Sequence, residues 1–404
     1  MPTEPGSLPA REVSLSLAET MILNMGPQHP ATHGVLRLVL ELDGETVVEC
    51  RPEIGYLHTG IEKNAEHHTW QQAVTDTDRM DYVSPLINNL GYCLAVERLL
   101  GIEVPPRTRY IRVLMAELSR IASHLVWLGS YALDMGAQSV FFYCFQAREA
   151  ILDMFETVSG ARMNLSYIRV GGLQYDLPAQ MPAMVERFLQ EFPRWMHDFR
   201  ALLDDNPIFV GRTQGVGCIT AEQCRNWGLS GPSLRASGVA FDVRRAAPYS
   251  GYDAFDFDIP TRTAGDSLAR YQVRMDEMEQ SARIVRQALQ GMPGGPWRTE
   301  DRKITLPPRE ELGTSMESLI HHFKLVSQGF AVPAGEVYQA VESPRGELGF
   351  FVVSDGGRHP YRMRVRGPSF FNTQGLKALL RGQLIADAVA VVGSLDMIMG
   401  EVDR

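Results

Sequence analysis

The sequence predicts an α+β chain with a small N-terminal β-sheet, a central bundle of long helices and a C-terminal part that mixes helix and strand. Three observations carry that class. Two β-rich runs joined by Asp43-Gly44, the strongest short hairpin signal, stand near the start. Apolar residues then recur with helical spacing over most of residues 85–289. Beyond the linker-like run Gly291-Met292-Pro293-Gly294-Gly295-Pro296, β-rich segments return. With 404 residues, 45% of them hydrophobic, the chain is long enough to bury a large core.

The elements follow in order. Residues 1–20 form a polar tail, residues 35–42 and 45–50 make the hairpin, and residues 61–74 read as a polar helix. Asp76 to Tyr82 is a charged approach to the next helix, which closes an N-terminal β-rich region over 21–83. Consecutive long helices joined by short loops imply a bundle over 84–290. Its first helix, 85–100, stops at Gly101, and its second, 107–129, follows Pro105-Pro106. Further helices cover 140–159, 182–203 and 267–289. Residues 211–260 read as glycine-rich, aromatic loops, and loops that long in a compact domain usually bind something. The C-terminal α+β region, 291–404, holds a helix at 315–327 and strands at 336–341, 348–354 and 361–366.

Composition excludes several functions. A net charge of −9 and a pI near 5.6 argue against nucleic-acid binding, which needs a basic face to neutralise phosphates. Cys50, Cys93, Cys144, Cys218 and Cys224 form neither a disulfide framework nor a CxxC site. Met1 to Ser16 has no apolar core of the signal-peptide kind, so a cytoplasmic chain is expected. Residues 125–145 are apolar and about long enough to span a bilayer, but Asp134 lies at their centre. A carboxylate there costs roughly 2.5–3.5 kcal/mol on insertion scales, which favours the protein interior. On that reading Asp134 is a buried acid that needs a partner, and a histidine is a natural one.

The run Gly26-Pro27-Gln28-His29-Pro30-Ala31-Thr32-His33-Gly34 sets two imidazoles among prolines and glycines. Proline forbids a regular helix, so the His29/His33 spacing makes a poor metal clamp. Such a loop either holds an imidazole for proton chemistry or is a tight turn whose histidines satisfy backbone groups. There is no GxSxG elbow and no GxxxxGK[ST] loop, and Gly215-Val216-Gly217 lacks the third glycine of a dinucleotide fingerprint. Adjacent histidines at His67-His68 and His321-His322 point about 100° apart on a helix, which suits solvated faces better than metal sites. Arg358, Arg362, Arg364 and Arg366 give the C-terminal sheet a basic stripe, either a solvated strand face or a docking surface.

Several separated motifs resemble one family. They are MGPQHPATHGVLRL, GYLHTGIEK (55–63), RMDY (79–82), ELSRIASHL (117–125), SLRASG (233–238), PYSGY (248–252), RGELGF (345–350) and the closing SLDMIMGEVDR. In this order they resemble the quinone-pocket subunit, of the D or 49-kDa type, of proton-pumping NADH:quinone oxidoreductase, respiratory complex I. The likeness runs from about residue 21 to 404.

The resemblance implies a hydrogenase-large-subunit-like fold. Nickel–iron hydrogenases hold their metals through R-x-C-x-x-C and D-P-C-x-x-C; the runs similar to them here are Arg79 to Ser84 and Asp396 to Glu401. The four thiolate positions carry Asp81, Ser84, Ile398 and Glu401, which cannot hold a soft metal in the same way. By resemblance Tyr82 and His33 flank a quinone head group, with Gly34, Met80 and Asp81 lining the pocket, and Asp134 bonds His33 and favours its charged form. Reducing a quinone takes two electrons and two protons, so a phenol and an imidazolium suit its two carbonyl oxygens. This chain has no cysteine set for an iron–sulfur cluster. The resemblance therefore puts a four-iron cluster in a partner, the B subunit, with the C subunit and the membrane-embedded H subunit as further neighbours. It also implies the peripheral arm at the cytoplasmic face of the bacterial inner membrane. Near that cluster the family often has a histidine where this chain has Asn164, which does not titrate. Two rival readings are the same subunit in a ferredoxin-fed quinone-reducing complex, and a non-catalytic scaffold of the arm.

Overall fold

Strands β1 (Met21–Met25), β2 (Arg37–Asp43) and β3 (Thr46–Glu53) form an antiparallel sheet in that order. The structure, a computed structural model, describes residues 20–28 and 34–404. Leu38, Leu40 and Leu42 point to one face of β2 and are buried, the period-2 pattern of a half-covered sheet. Asp43 pairs with Thr46, so Gly44-Glu45 is a two-residue turn with Gly44 at φ 58°, as the Asp-Gly signal predicts. The expected hairpin gains β1 as a third strand; β1 is mostly exposed and carries no burial pattern to announce it. The sheet is tied to the far end of the chain, where the Val47 amide donates to the Gln383 carbonyl at 2.9 Å.

The single polar helix expected over 61–74 is two short ones, α1 (Ile61–Ala65) and α2 (Ala73–Thr77). The break between them buries Trp70, whose indole N–H donates to the Gly357 carbonyl at 3.1 Å. A tertiary anchor has overridden helix periodicity.

The bundle forms as the periodicity predicts. Helix α3 (Pro85–Leu100) ends at Gly101 in the left-handed region, φ 67°. It is followed by α4 (Pro106–Asp134), α5 (Gln138–Ser159), the two-residue strands β4 (Ile168–Arg169) and β5 (Gly172–Leu173), and α6 (Met181–Leu203). The 211–260 region is less open than its composition suggests, because α7 (Pro207–Thr213), α8 (Ala221–Trp227), α9 (Gly231–Ala236) and α10 (Val243–Ala246) punctuate it. Thr220 and Gln223 close a capping box on α8. Helix α11 (Ser267–Gly291) then packs along α4, the central element, which also touches α3 and α5.

Past α12 (Met316–Gln328), strands β6 (Gly335–Ser343), β7 (Gly346–Ser354) and β8 (Arg362–Arg366) form an antiparallel sheet against α3. A Cβ on Gly91 of α3 would lie 2.7 Å from the Phe350 ring, so only glycine admits this approach. Helices α13 (Pro368–Leu380), α14 (Ile385–Leu395) and α15 (Met399–Asp403) close the chain. The second half of α14 is buried on all sides, which erases the one-sided pattern that marks a helix in a sequence.

Asp134 departs from the buried acid expected. Residues 125–145 are no continuous span: α4 ends at Asp134, and Met135–Ala137 turns the chain into α5, with Gly136 at φ 91°. Asp134 therefore sits on the outside of a helical corner and is exposed. Among the described residues no helix is long and apolar enough to cross a membrane.

Candidate functional site

The runs Arg79 to Ser84 and Asp396 to Glu401, far apart in sequence, meet in space. The first is the turn between α2 and α3; the second leaves α14, with Asp396 in the left-handed region at φ 54°. A Cβ on Gly400 would lie 2.5 Å from the Met80 carbonyl oxygen and 3.4 Å from the Tyr82 ring. The two backbones are pressed together where only a hydrogen fits.

A guanidinium joins them. Arg345, from the turn between β6 and β7, is buried and reaches Asp81 with Nη1 at 3.0 Å and Asp396 with Nη2 at 3.1 Å. Its Nε donates to the Asp396 carbonyl at 3.2 Å, and Nη1 also bonds the Ser123 hydroxyl. Burial alone would lower the Arg345 pKa; Asp396, Asp81 and Glu401 together raise it, so it stays charged. Burial pushes the Asp81 carboxyl above its ordinary range, with Arg345 pulling it down and Asp396 pushing it further up. Glu401 is buried too, and accepts from the Ser369 amide at 3.0 Å through Oε2. Burial, with the charge of Asp81, pushes its carboxyl up to about 7.

Tyr82 lies half-buried on this junction. Its phenol is pushed above its ordinary pKa by burial first, then by the charge of Asp81. It stays protonated across the physiological range and can donate a hydrogen bond. Met80 is fully buried and contributes its carbonyl to the contact with Gly400. Gly34 is exposed at φ 88° with nothing within 4 Å of where a Cβ would stand, so the left-handed backbone, not crowding, calls for glycine there. His29 and His33 lie outside the described residues. The carboxylate of Asp134 comes within 3.8 Å of a Cβ position on Gly393, in the last turn of the helix that delivers Asp396, and the acid is engaged in an interaction.

Of the candidate residues, the structure thus brings Met80, Asp81 and Tyr82 against the C-terminal run. Reading the residues for chemistry missed Arg345 and Ser123, although both lie in quoted motifs. Two carboxylates buried side by side demand a cation, and an arginine followed by glycine inside an apolar strand pair was the available signal.

The other charged motifs find local partners. His68 faces Asp76 at 2.6 Å and His321 faces Glu317 at 3.6 Å. The basic stripe straps β8 to α1, with Arg362 on Glu66 at 3.2 Å and Arg364 on Glu62 at 3.1 Å. Asn164 stands in the left-handed region at φ 55°, a conformation asparagine tolerates well. No three histidine, cysteine, aspartate or glutamate side chains come together as a metal-donor set among the described residues.

A second buried cluster lies between α4, α11 and the 211–260 region. Glu117 bonds Arg120, Arg244, the Tyr252 hydroxyl and the Ser281 hydroxyl. Arg244 also holds Asp242 at 2.6 Å, and Arg235 holds Glu277 at 2.6 Å and Glu342 at 2.8 Å. Burial favours the protonated form of Glu117, but Arg120 and Arg244 overcome it and hold the carboxyl at about 2.

Comparison with known proteins gives the chain its class and then its family. Residues 134–404 match the family described as respiratory-chain NADH dehydrogenase, 49 Kd subunit, which puts the chain among respiratory dehydrogenase subunits. The D (2) subunit of NADH-quinone oxidoreductase from Roseiflexus sp. (strain RS-1) is 59% identical over 389 residues, 96% of this chain and 93% of the relative. The D (1) subunit from Solibacter usitatus is 55% identical over 95% of this chain and 94% of the relative, and the D (2) subunit from Chloroflexus aurantiacus 54% identical over 100% of both. The chain belongs to the 49 kDa, or D, subunit family of NADH-quinone oxidoreductase, respiratory complex I, and is one component of such an enzyme.

Proposed function

We propose that this chain, together with the iron–sulfur B subunit, forms the site where complex I reduces quinone, and that this reduction is coupled to proton translocation. The observation that carries the reading is Tyr82, a protonated phenol half-open on the junction of the two runs, in a place where no thiolate remains. Electrons come from the four-iron cluster of the B subunit; this chain supplies protons and shape. The Tyr82 hydroxyl donates to one quinone oxygen, and the His33 imidazolium to the other. Asp134 favours the charged form of His33 and orients its ring. Gly34, Met80 and Asp81 line the pocket, where the open backbone at Gly34 leaves room beside the head group. The C and H subunits complete its surroundings, and the complex carries the chain to the cytoplasmic face of the inner membrane. Asn164, facing the cluster, leaves the cluster's midpoint potential less dependent on pH than a histidine does. A potentiometric titration with the full one-proton slope, about 59 mV per pH unit, would reject that last point.

The test is Tyr82→Phe in membranes, comparing NADH oxidation with quinone against an artificial acceptor that takes electrons upstream. The substitution removes one donor and keeps the ring, so the quinone rate falls at least about tenfold while the artificial rate is kept. If both rates stay normal, the pocket lies elsewhere and the scaffold reading replaces this one.

A further inference from the structure

The residues at the four positions where the resemblance has metal-binding thiolates do not fit a metal. Asp81, Ser84 and Glu401 offer only oxygen, and Ile398 offers nothing. A cation is nevertheless bound among them, and it belongs to the chain. Arg345 reaches Asp81 in the first run and Asp396 in the second, and its charge is felt at Glu401.

We propose that Arg345 is the fixed cation of this junction, clamping the two runs by charge and so positioning Tyr82 for its work; this rests on the quinone-site reading above. Three facts of geometry support a role beyond packing. Asp81 and Asp396 are both buried, so neither has water to carry its charge, and each has a guanidinium nitrogen within 3.1 Å. Tyr82 follows Asp81 directly, and its ring lies against Gly400, so the spacing of the two runs sets where the phenol points. The bidentate, planar fork of arginine is the side chain that spans two carboxylates from one point, which a metal ion does with bonds in several directions.

Charge is the part that distinguishes this proposal from simple packing. The charged and titratable groups facing the guanidinium are Asp81 from the first run, Asp396 and Glu401 from the second, the Arg274 guanidinium from α11, and Tyr82 beside them. Arg345→Met removes the cation and leaves the carboxylates facing each other. Burial then drives one of them to take up a proton, and the two runs lose their clamp. Adding Asp81→Asn to that variant removes one carboxylate as well and restores the original net charge of the cluster.

The experiment uses the whole complex in membranes, with assembly read from the artificial-acceptor rate and function from kcat, KM and pH profile with a short-chain quinone. Expected are a fall in kcat with quinone of at least tenfold and a changed pH profile for Arg345→Met, together with a recovery of at least threefold in Arg345→Met/Asp81→Asn. Arg345→Lys, which keeps the charge but not the fork, falls between wild type and Arg345→Met. The proposal is overturned if Arg345→Met keeps the wild-type kcat, KM and pH profile. It is equally overturned if the double variant is no better than the single one, since a purely structural arginine is not rescued by deleting its partner. Should Arg345→Met fail to assemble, recovery of assembly in the double variant still decides the matter. Tyr82→Phe run alongside separates the two readings: normal quinone turnover there sinks the site itself, while a lost rate there with a neutral Arg345→Met sinks only this inference.

Discussion

Glu117 and Glu401 are both fully buried carboxylic acids, yet one is held at about 2 and the other pushed up to about 7. The difference lies in what surrounds them. Glu117 faces two guanidiniums and two hydroxyls, so both of its oxygens are used. Glu401 accepts from the Ser369 amide, no guanidinium among the described residues bonds it directly, Arg345 and Arg404 act on it from farther off, and Oε1 has no hydrogen-bond partner among the described residues. The first cluster binds α4 to its neighbours through direct ion pairs; the second leaves Glu401 without one and opens onto a half-buried tyrosine. Burial sets the stakes in both, and direct bonding to a guanidinium decides whether a carboxyl gives up its proton.

The comparison breaks most sharply at Glu117. Glu117→Ala leaves Arg120 buried without its anion and takes one of two carboxylates from Arg244, at a cost on the order of 3–5 kcal/mol. That is a large share of a domain's stability. The expected outcome is loss of assembled complex, with quinone and artificial-acceptor rates in membranes falling together. A variant that assembles normally and loses only the quinone rate would move Glu117 from scaffold to reaction site.

Glu401→Gln sharpens the comparison from the other side. A carboxyl whose folded pKa is raised from 4.5 to about 7 contributes stability that is full below about pH 4.5 and is lost as pH rises through 7. Glutamine carries no such loss. The variant is therefore more heat-resistant than wild type at pH 8, by up to about 3 kcal/mol, and nearly equal to it close to pH 4.5. The measurement is thermal release of this chain from the purified complex at a series of pH values. A stability difference that does not change with pH would mean that Glu401 does not titrate in the folded complex.

How much of this was readable beforehand follows the same division. The bundle helices were legible from their length and their end signals; the predicted 85–100, buried along most of its length, runs from Pro85 to the stop at Gly101 and is observed residue for residue. The β2–β3 hairpin was legible because two-residue turns have strict residue demands. The 61–74 stretch failed because Trp70 finds its partner at Gly357, a contact no local pattern reports. Asp134 misled for a similar reason: its apolar surroundings suggested burial, but a three-residue turn after it puts it on a corner. Tyr82 and Asp81 were found through motifs, whereas Arg345 emerged only when residues separated by 264 positions came within 3.0 Å.

A smaller effect is expected where the two runs touch. Gly400→Ala puts a methyl 2.5 Å from the Met80 carbonyl oxygen, and the runs must part by some tenths of an ångström. Overpacking of this kind costs about 1–3 kcal/mol, less than opening the Glu117 cluster. Because the Tyr82 ring stands 3.4 Å from the same position, behind the Arg79 carbonyl at 3.0 Å, the displacement reaches the phenol. A higher KM for quinone, with assembly and the artificial-acceptor rate preserved, is the expected result. An unchanged KM would show that the tyrosine is positioned independently of the C-terminal run.

The smallest effect on stability, and the most selective on chemistry, is expected at Asp134. It lies outside both buried clusters and is exposed at the end of α4, so even with its interaction weakened Asp134→Asn changes stability by no more than about 1 kcal/mol. Its proposed work is electrostatic: a carboxylate beside His33 favours the imidazolium, and removing that charge lowers the histidine pKa. The imidazolium then persists only to a lower pH. The alkaline limb of quinone reduction accordingly moves toward acid by up to about one unit, with the artificial-acceptor rate unaltered. A pH profile that stays in place would detach Asp134 from His33. It would leave Tyr82, beside Asp81 and Gly400, as the proposed proton donor among the described residues.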